Sequence, residues 1–132
     1  MENIHELDGA LLQAIAAIER LLALPCCNVA ELSKVRYQAS RAVAARRQAM
    51  DRIVNAAMQE GGARGEVVQK LRGGSFEVRM IYTDHVSAWP TSKAVANWPE
   101  YIAASRKLSE SIRRQISVER ELLYPAVPSL PV

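Results

Sequence analysis

Gln115 and Glu119 lie four residues apart on the side of a helical pattern that otherwise carries Ile102, Ser105, Leu108, Ile112 and Leu122. Residues three and four apart share one face of a helix, so an amide and a carboxylate are aimed at what reads as core. An ionised carboxylate there needs a cation or several donors, because an unpaired buried charge is very costly. Asp8, Arg46, His85 and Ser105 interrupt the apolar seams in the same way, and Arg47 and Asp51 flank Arg46. Such a set can collect carboxylates around a metal ion, or close them against guanidinium groups that donate in pairs. It can also let its charged ends snorkel to the surface and do no chemistry.

Other chemistry is poorly supplied. No Ser, Thr or Cys has a His at a spacing that suggests a nucleophile and its base. Gly61-Gly62 and Gly73-Gly74 lack the Lys-Ser/Thr or the strand context of a phosphate loop. Cys26 and Cys27 are adjacent, a poor geometry for bridging each other, and the chain has no further Cys to complete a metal site. Two free thiols in a loop are expected, with no enzyme and no cofactor.

Four helices would have to position the polar set. Residues 3–24 carry Ile4, Leu7, Leu11, Ile15, Ile18 and Leu22 at three- and four-residue steps, and Pro25 closes the segment. Asn28 suits an N-cap, with Glu31 completing a capping box. Residues 29–59 present Leu32, Val35, Ala39, Val43, Arg46, Met50, Ile53 and Ala57 as one seam, and hold six basic residues to two acidic. Gly61 to Gly65 turn the chain. Residues 66–89 place Val67, Leu71, Val78, Ile81, His85 and Trp89 together. Gly73-Gly74, costing roughly 2 kcal/mol relative to alanine, predict a kink or a close helix approach there. A strand through 76–82 is an alternative, though no partner strand is evident. Residues 98–124 form the last helix, roughly 40 Å long, and the tail from Pro125 is expected to strap across one end. Short connections between amphipathic helices predict a single all-α domain, an up-down-up-down four-helix bundle.

In that bundle, height decides which polar groups meet. Asp8 lies near the start of the first helix. The second and fourth helices run the other way, so Arg46, Arg47, Asp51, Gln115 and Glu119 share its level. The third climbs, so Gln69 and Lys70 lie low and His85 lies roughly 30 Å higher by helical rise, near Trp89. The expected low tier is Asp8, Arg46 or Arg47, Asp51, Gln69 or Lys70, Gln115 and Glu119.

The last helix, from Asn97-Trp98-Pro99-Glu100-Tyr101 to Arg114-Gln115-Ile116-Ser117-Val118-Glu119-Arg120-Glu121-Leu122-Leu123-Tyr124-Pro125, resembles that of hemerythrin-like (HHE cation-binding) domains, whose pattern is His-Ile-x-x-Glu-Glu-x-x-Leu-Phe/Tyr-Pro. The resemblance extends to helix order and length over the whole chain, and implies a bundle core built to hold two irons on histidines and carboxylates. The ligand positions it implies are degenerate here. Gln115 replaces the last-helix His while Glu119 keeps the carboxylate. Arg47 and Asp51 stand where the second helix has His-x-x-x-Glu, and Asp8 stands where the first has its His. Iron in such a site needs several imidazoles, and His5 and His85 do not fit. The implied outcome is a metal site lost, with Arg46 or Arg47 and Lys70 standing in for the metal charge. A lone hard cation on Asp8, Asp51 and Glu119 is the remaining metal reading.

Hydrophobic residues make up 49% and charged residues 23% of the chain, which suits a folded domain with a full core. No apolar run approaches the ~18–20 residues of a membrane span. The start Met1-Glu2-Asn3-Ile4-His5-Glu6 lacks the basic opening of a secretory signal, so a cytoplasmic location is expected. The net charge of +3 is mild. Arg106, Lys107, Arg113 and Arg114 could extend a basic face, but few aromatics are present to stack bases. The expected role is a non-enzymatic hemerythrin-like module that binds a protein partner or itself. A surviving metal or oxygen sensor, and a basic-face binder of an acidic partner or nucleic acid, are the alternatives.

Overall fold

The computed structural model describes residues 4–60 and 62–126, the side chains of 60, 62–64 and 123–126 apart. The described residues are helical: α1 Ile4–Leu22, α2 Val29–Glu60, α3 Gly62–Ala88, α4 Thr91–Ala96 and α5 Trp98–Ala126. Among them, no helix is long and apolar enough to cross a membrane.

Local chemistry sets the ends. Pro25 disfavours helical backbone at the residue before it, and α1 stops at Leu22 with a turn in which the Leu24 amide donates to the Leu21 carbonyl. Asn28 caps α2, its Oδ1 accepting from the Glu31 amide at 2.7 Å. Gly73 and Gly74 do not break α3, which runs through them and begins at Gly62, four residues before the predicted start. Residues 76–82 are helical, not extended.

The short helix α4 was not anticipated. Pro90 ends the α3 run and opens the next turn, where the Ala94 amide donates to the Pro90 carbonyl at 2.9 Å. Lys93 Nζ donates back to the Ala88 carbonyl at 3.1 Å. Ala94 is fully buried, which ties this turn to the core. At the other end α5 continues to Ala126, past the predicted stop at Tyr124. The expected strap lies, from residue 127 onward, outside the described residues.

α1 packs on α2 and α5, and α3 packs on α2 and α5, so each long helix has two long neighbours. The core divides into three apolar layers. One joins Ile4 to Met50, Val54, Val68 and Leu71. The middle layer joins Leu11 and Ile15 to Leu108, Ile112 and Ile116. The third joins Leu22 and Leu32 to Ala94, Trp98 and Tyr101. Tyr101, absent from the predicted seam, is 1% exposed, whereas Ile81 and Leu122, which the seam included, are each 40% exposed.

Candidate functional site

Between the first and middle apolar layers lies a polar one. Asp8 follows Ile4 by one turn and precedes Leu11. Arg46 falls between Val43 and Met50 on the α2 seam. Glu119 comes three residues after Ile116. The same periodicity that buries the aliphatic residues therefore buries these three: Asp8 is 0%, Glu119 1% and Arg46 8% exposed.

Arg46 bridges the two acids. Its Nε donates to Asp8 Oδ1 at 2.5 Å, and its Nη1 donates to Glu119 Oε1 at 2.6 Å. The second oxygen of each carboxylate is also engaged. Arg120 Nε donates to Asp8 Oδ2 at 3.0 Å, and Gln115 Nε2 donates to Glu119 Oε2 at 2.9 Å. Two carboxylates thus face two guanidiniums and one amide, and the formal charges cancel. Burial alone would push the Arg46 pKa down, but Glu119 and Asp8 outweigh it and the net direction is up. Arg46 stays charged wherever the protein is folded.

Gly74 makes room for the amide. A Cβ added there would meet Gln115 Nε2 at 2.9 Å and Oε1 at 3.0 Å. The second glycine of the pair therefore serves a close approach of α5 to α3, while a Cβ at Gly73 would meet nothing within 4 Å.

The predicted low tier needs correction at four positions. Arg47, Asp51, Gln69 and Lys70 are exposed and do not join the buried cluster. Each sits one position, about 100° of helix rotation, from a buried neighbour: Arg46, Met50, Val68 and Leu71. Asp51 instead accepts from Arg79 Nη2 at 3.1 Å at the surface. Arg120 was missed. Its signal was available, since it follows the core residue Ile116 by four and so flanks the inward face.

His85 lies at the opposite end, its ring 5.6 Å from Tyr101. Tyr101 also stacks on Trp98 and meets Trp89 edge-on, and the Arg36 guanidinium lies 5.7 Å from its ring centre. Burial, aided by Arg36, lowers the His85 pKa to about 4. Trp98 Nε1 donates to the Leu24 carbonyl at 2.9 Å, tying α5 to the α1–α2 connection. Cys26 and Cys27 are free thiols, and burial followed by the Glu31 charge raises the pKa of Cys27.

The donor set does not suit a resident metal. Among the described residues, no three His, Cys, Asp or Glu side chains gather where they could hold an ion. Among the described residues no third carboxylate joins Asp8 and Glu119, and all four of their oxygens already accept hydrogen bonds. The chain matches no family model, no curated protein and no solved structure.

Proposed function

We propose that this chain is an up-down-up-down four-helix bundle of the hemerythrin-like kind in which arginine has replaced the metal, and that it serves as a non-enzymatic binding or regulatory module. The observation that carries the reading is Arg46, whose one guanidinium holds Asp8 and Glu119 together inside the core. In the resembling family, bridging cations perform that task. Here a fixed cation on α2 does so, and a metal ion entering the cluster would meet Arg46 and Arg120 as like charges. With all four oxygens of Asp8 and Glu119 engaged, the cluster offers a metal no open ligand atom.

Reconstitution tests this. Purified protein is incubated with iron, zinc or manganese, desalted, and analysed for bound metal. Well below one ion per chain is expected, with the helical circular dichroism signal unchanged. One ion per chain held at micromolar concentration would falsify the reading.

A further inference from the structure

Beside the ion cluster, residues of α1, α2, α3 and α5 line a half-open pocket of about 60 Å³. That is several times the ~10–15 Å³ that one water needs, and far below the ~300 Å³ of a drug-sized pocket. An occupant of a few heavy atoms fits. Much of the wall is aliphatic, including Val43, Val78 and Ile112, yet three arginines also line it: Arg46, Arg47 and Arg79.

Arg46 is committed to Asp8 and Glu119. The other two are not used up. Arg47 is exposed and makes no ion pair with any described residue. Arg79 gives Nη2 to Asp51, but its Nε is buried without an acceptor among the described residues. That Nε is closed to the pocket as well as to water, so what Arg79 offers an occupant is the solvent-reached end of its guanidinium, beside the unpaired Arg47, and an oxygen lone pair is the matching acceptor. Glu119 also lines the cavity, but its two oxygens are already taken by Arg46 and Gln115.

We infer that this cavity binds a short-chain monocarboxylate of the size of acetate or propionate. Its carboxylate is held by Arg79 and Arg47, and its alkyl end rests on Val78 and Ile112. Planar carboxylates match the forked donors of arginine, and the aliphatic wall gives an alkyl group an advantage over an inorganic anion. The inference deepens the binding-module reading above and rests on it, since Arg46 must already be occupied for the remaining arginines to set the specificity.

The test uses the full chain with ¹⁵N-labelled arginine, titrated with sodium propionate and, separately, with sodium chloride at equal ionic strength. Propionate should shift the Arg79 Nε–H resonance saturably, and chloride should not. R47Q and R79Q should each weaken the apparent Kd about tenfold, and V78F, which fills the cavity, should abolish binding while the protein remains helical. Because Arg47 is exposed, R47Q keeps the test meaningful even where a change at 78 or 79 disturbs folding. Equal responses to both salts, or none in folded metal-free protein, overturn this inference and leave the Arg46 reading standing. Stoichiometric metal overturns the Arg46 reading instead; propionate shifts that survive chelation then still support the cavity assignment, and shifts that vanish overturn both.

Discussion

Arg46–Glu119 and Arg113–Glu19 are both 2.6 Å ion pairs, yet they are not equivalent. The first is buried at both ends. The second is 43% and 40% exposed, so water screens it and the mobile side chains gain little by pairing. Arg46→Ala leaves two carboxylates in the core short of a cation, and a loss of roughly 3–5 kcal/mol in urea unfolding is expected. Arg113→Ala should cost under ~1 kcal/mol. Similar losses from the two would mean that Arg46 is not the keystone of the cluster. His85 supplies one part of the pH dependence. Its folded pKa of about 4 lies below the ordinary value near 6.5. Above that value both states are neutral and the residue contributes no slope. Between there and 4 the unfolded chain takes up a proton that the folded protein refuses, so stability falls as pH falls. A loss of roughly 1–2 kcal/mol between pH 7 and 4.5 is expected after allowance for solvent screening. His85→Gln should remove that part of the slope; an unchanged slope would assign it elsewhere.

At the scale of the element, the two adjacent glycines of α3 make a sharper test than either alone. Both sit inside a continuous helix, where alanine is favoured over glycine by about 1 kcal/mol. Gly73 has open space around its missing Cβ, so Gly73→Ala should stabilise by roughly 0.5–1 kcal/mol. A Cβ at Gly74 must shift the Gln115 amide and so strain its hydrogen bond to Glu119. Gly74→Ala should therefore be less stable than Gly73→Ala by up to about 1 kcal/mol, the usual order of one hydrogen bond. Thermal unfolding of the two variants decides it, and equal stabilities would remove Gln115 from the cluster. The same contact explains why helix propensity lost at 74 is tolerated: the glycine is a groove for a neighbouring side chain, not a hinge.

For the whole molecule, the polar layer separates two apolar layers and bears on which arrangement of helices is reached, as well as on its depth. Three charged groups leave water to form it, and a well-packed apolar replacement of a buried ion network is often neutral or stabilising by about 1–4 kcal/mol. Asp8→Leu, Arg46→Met and Glu119→Leu combined should accordingly retain the helical signal and match or exceed the parent in urea, although Arg46→Ala alone does not. A combined variant less stable than the parent would show that the cluster adds net stability, not only mutual compensation. The contrast separates an ion network that is kept for function from one kept for stability.

The periodic apolar residues of the chain determined, without further help, that helices dominate it, where most of the long segments run, and that Asp8, Arg46 and Glu119 face inward. Each of those three shares a three- or four-residue step with aliphatic neighbours, and one-dimensional spacing is enough to assign a face. Spacing cannot resolve residues that flank a seam, because one position is about 100° of rotation and the edge of a buried stripe depends on how two helices cross. Tertiary packing therefore decided that Arg47, beside Arg46, stays out of the core, that Asp51 turns to Arg79 at the surface, and that Arg120 reaches Asp8 from α5. It also decided the half-open pocket, since a cleft lined by four helices is a property of their separation and is written in no single one of them.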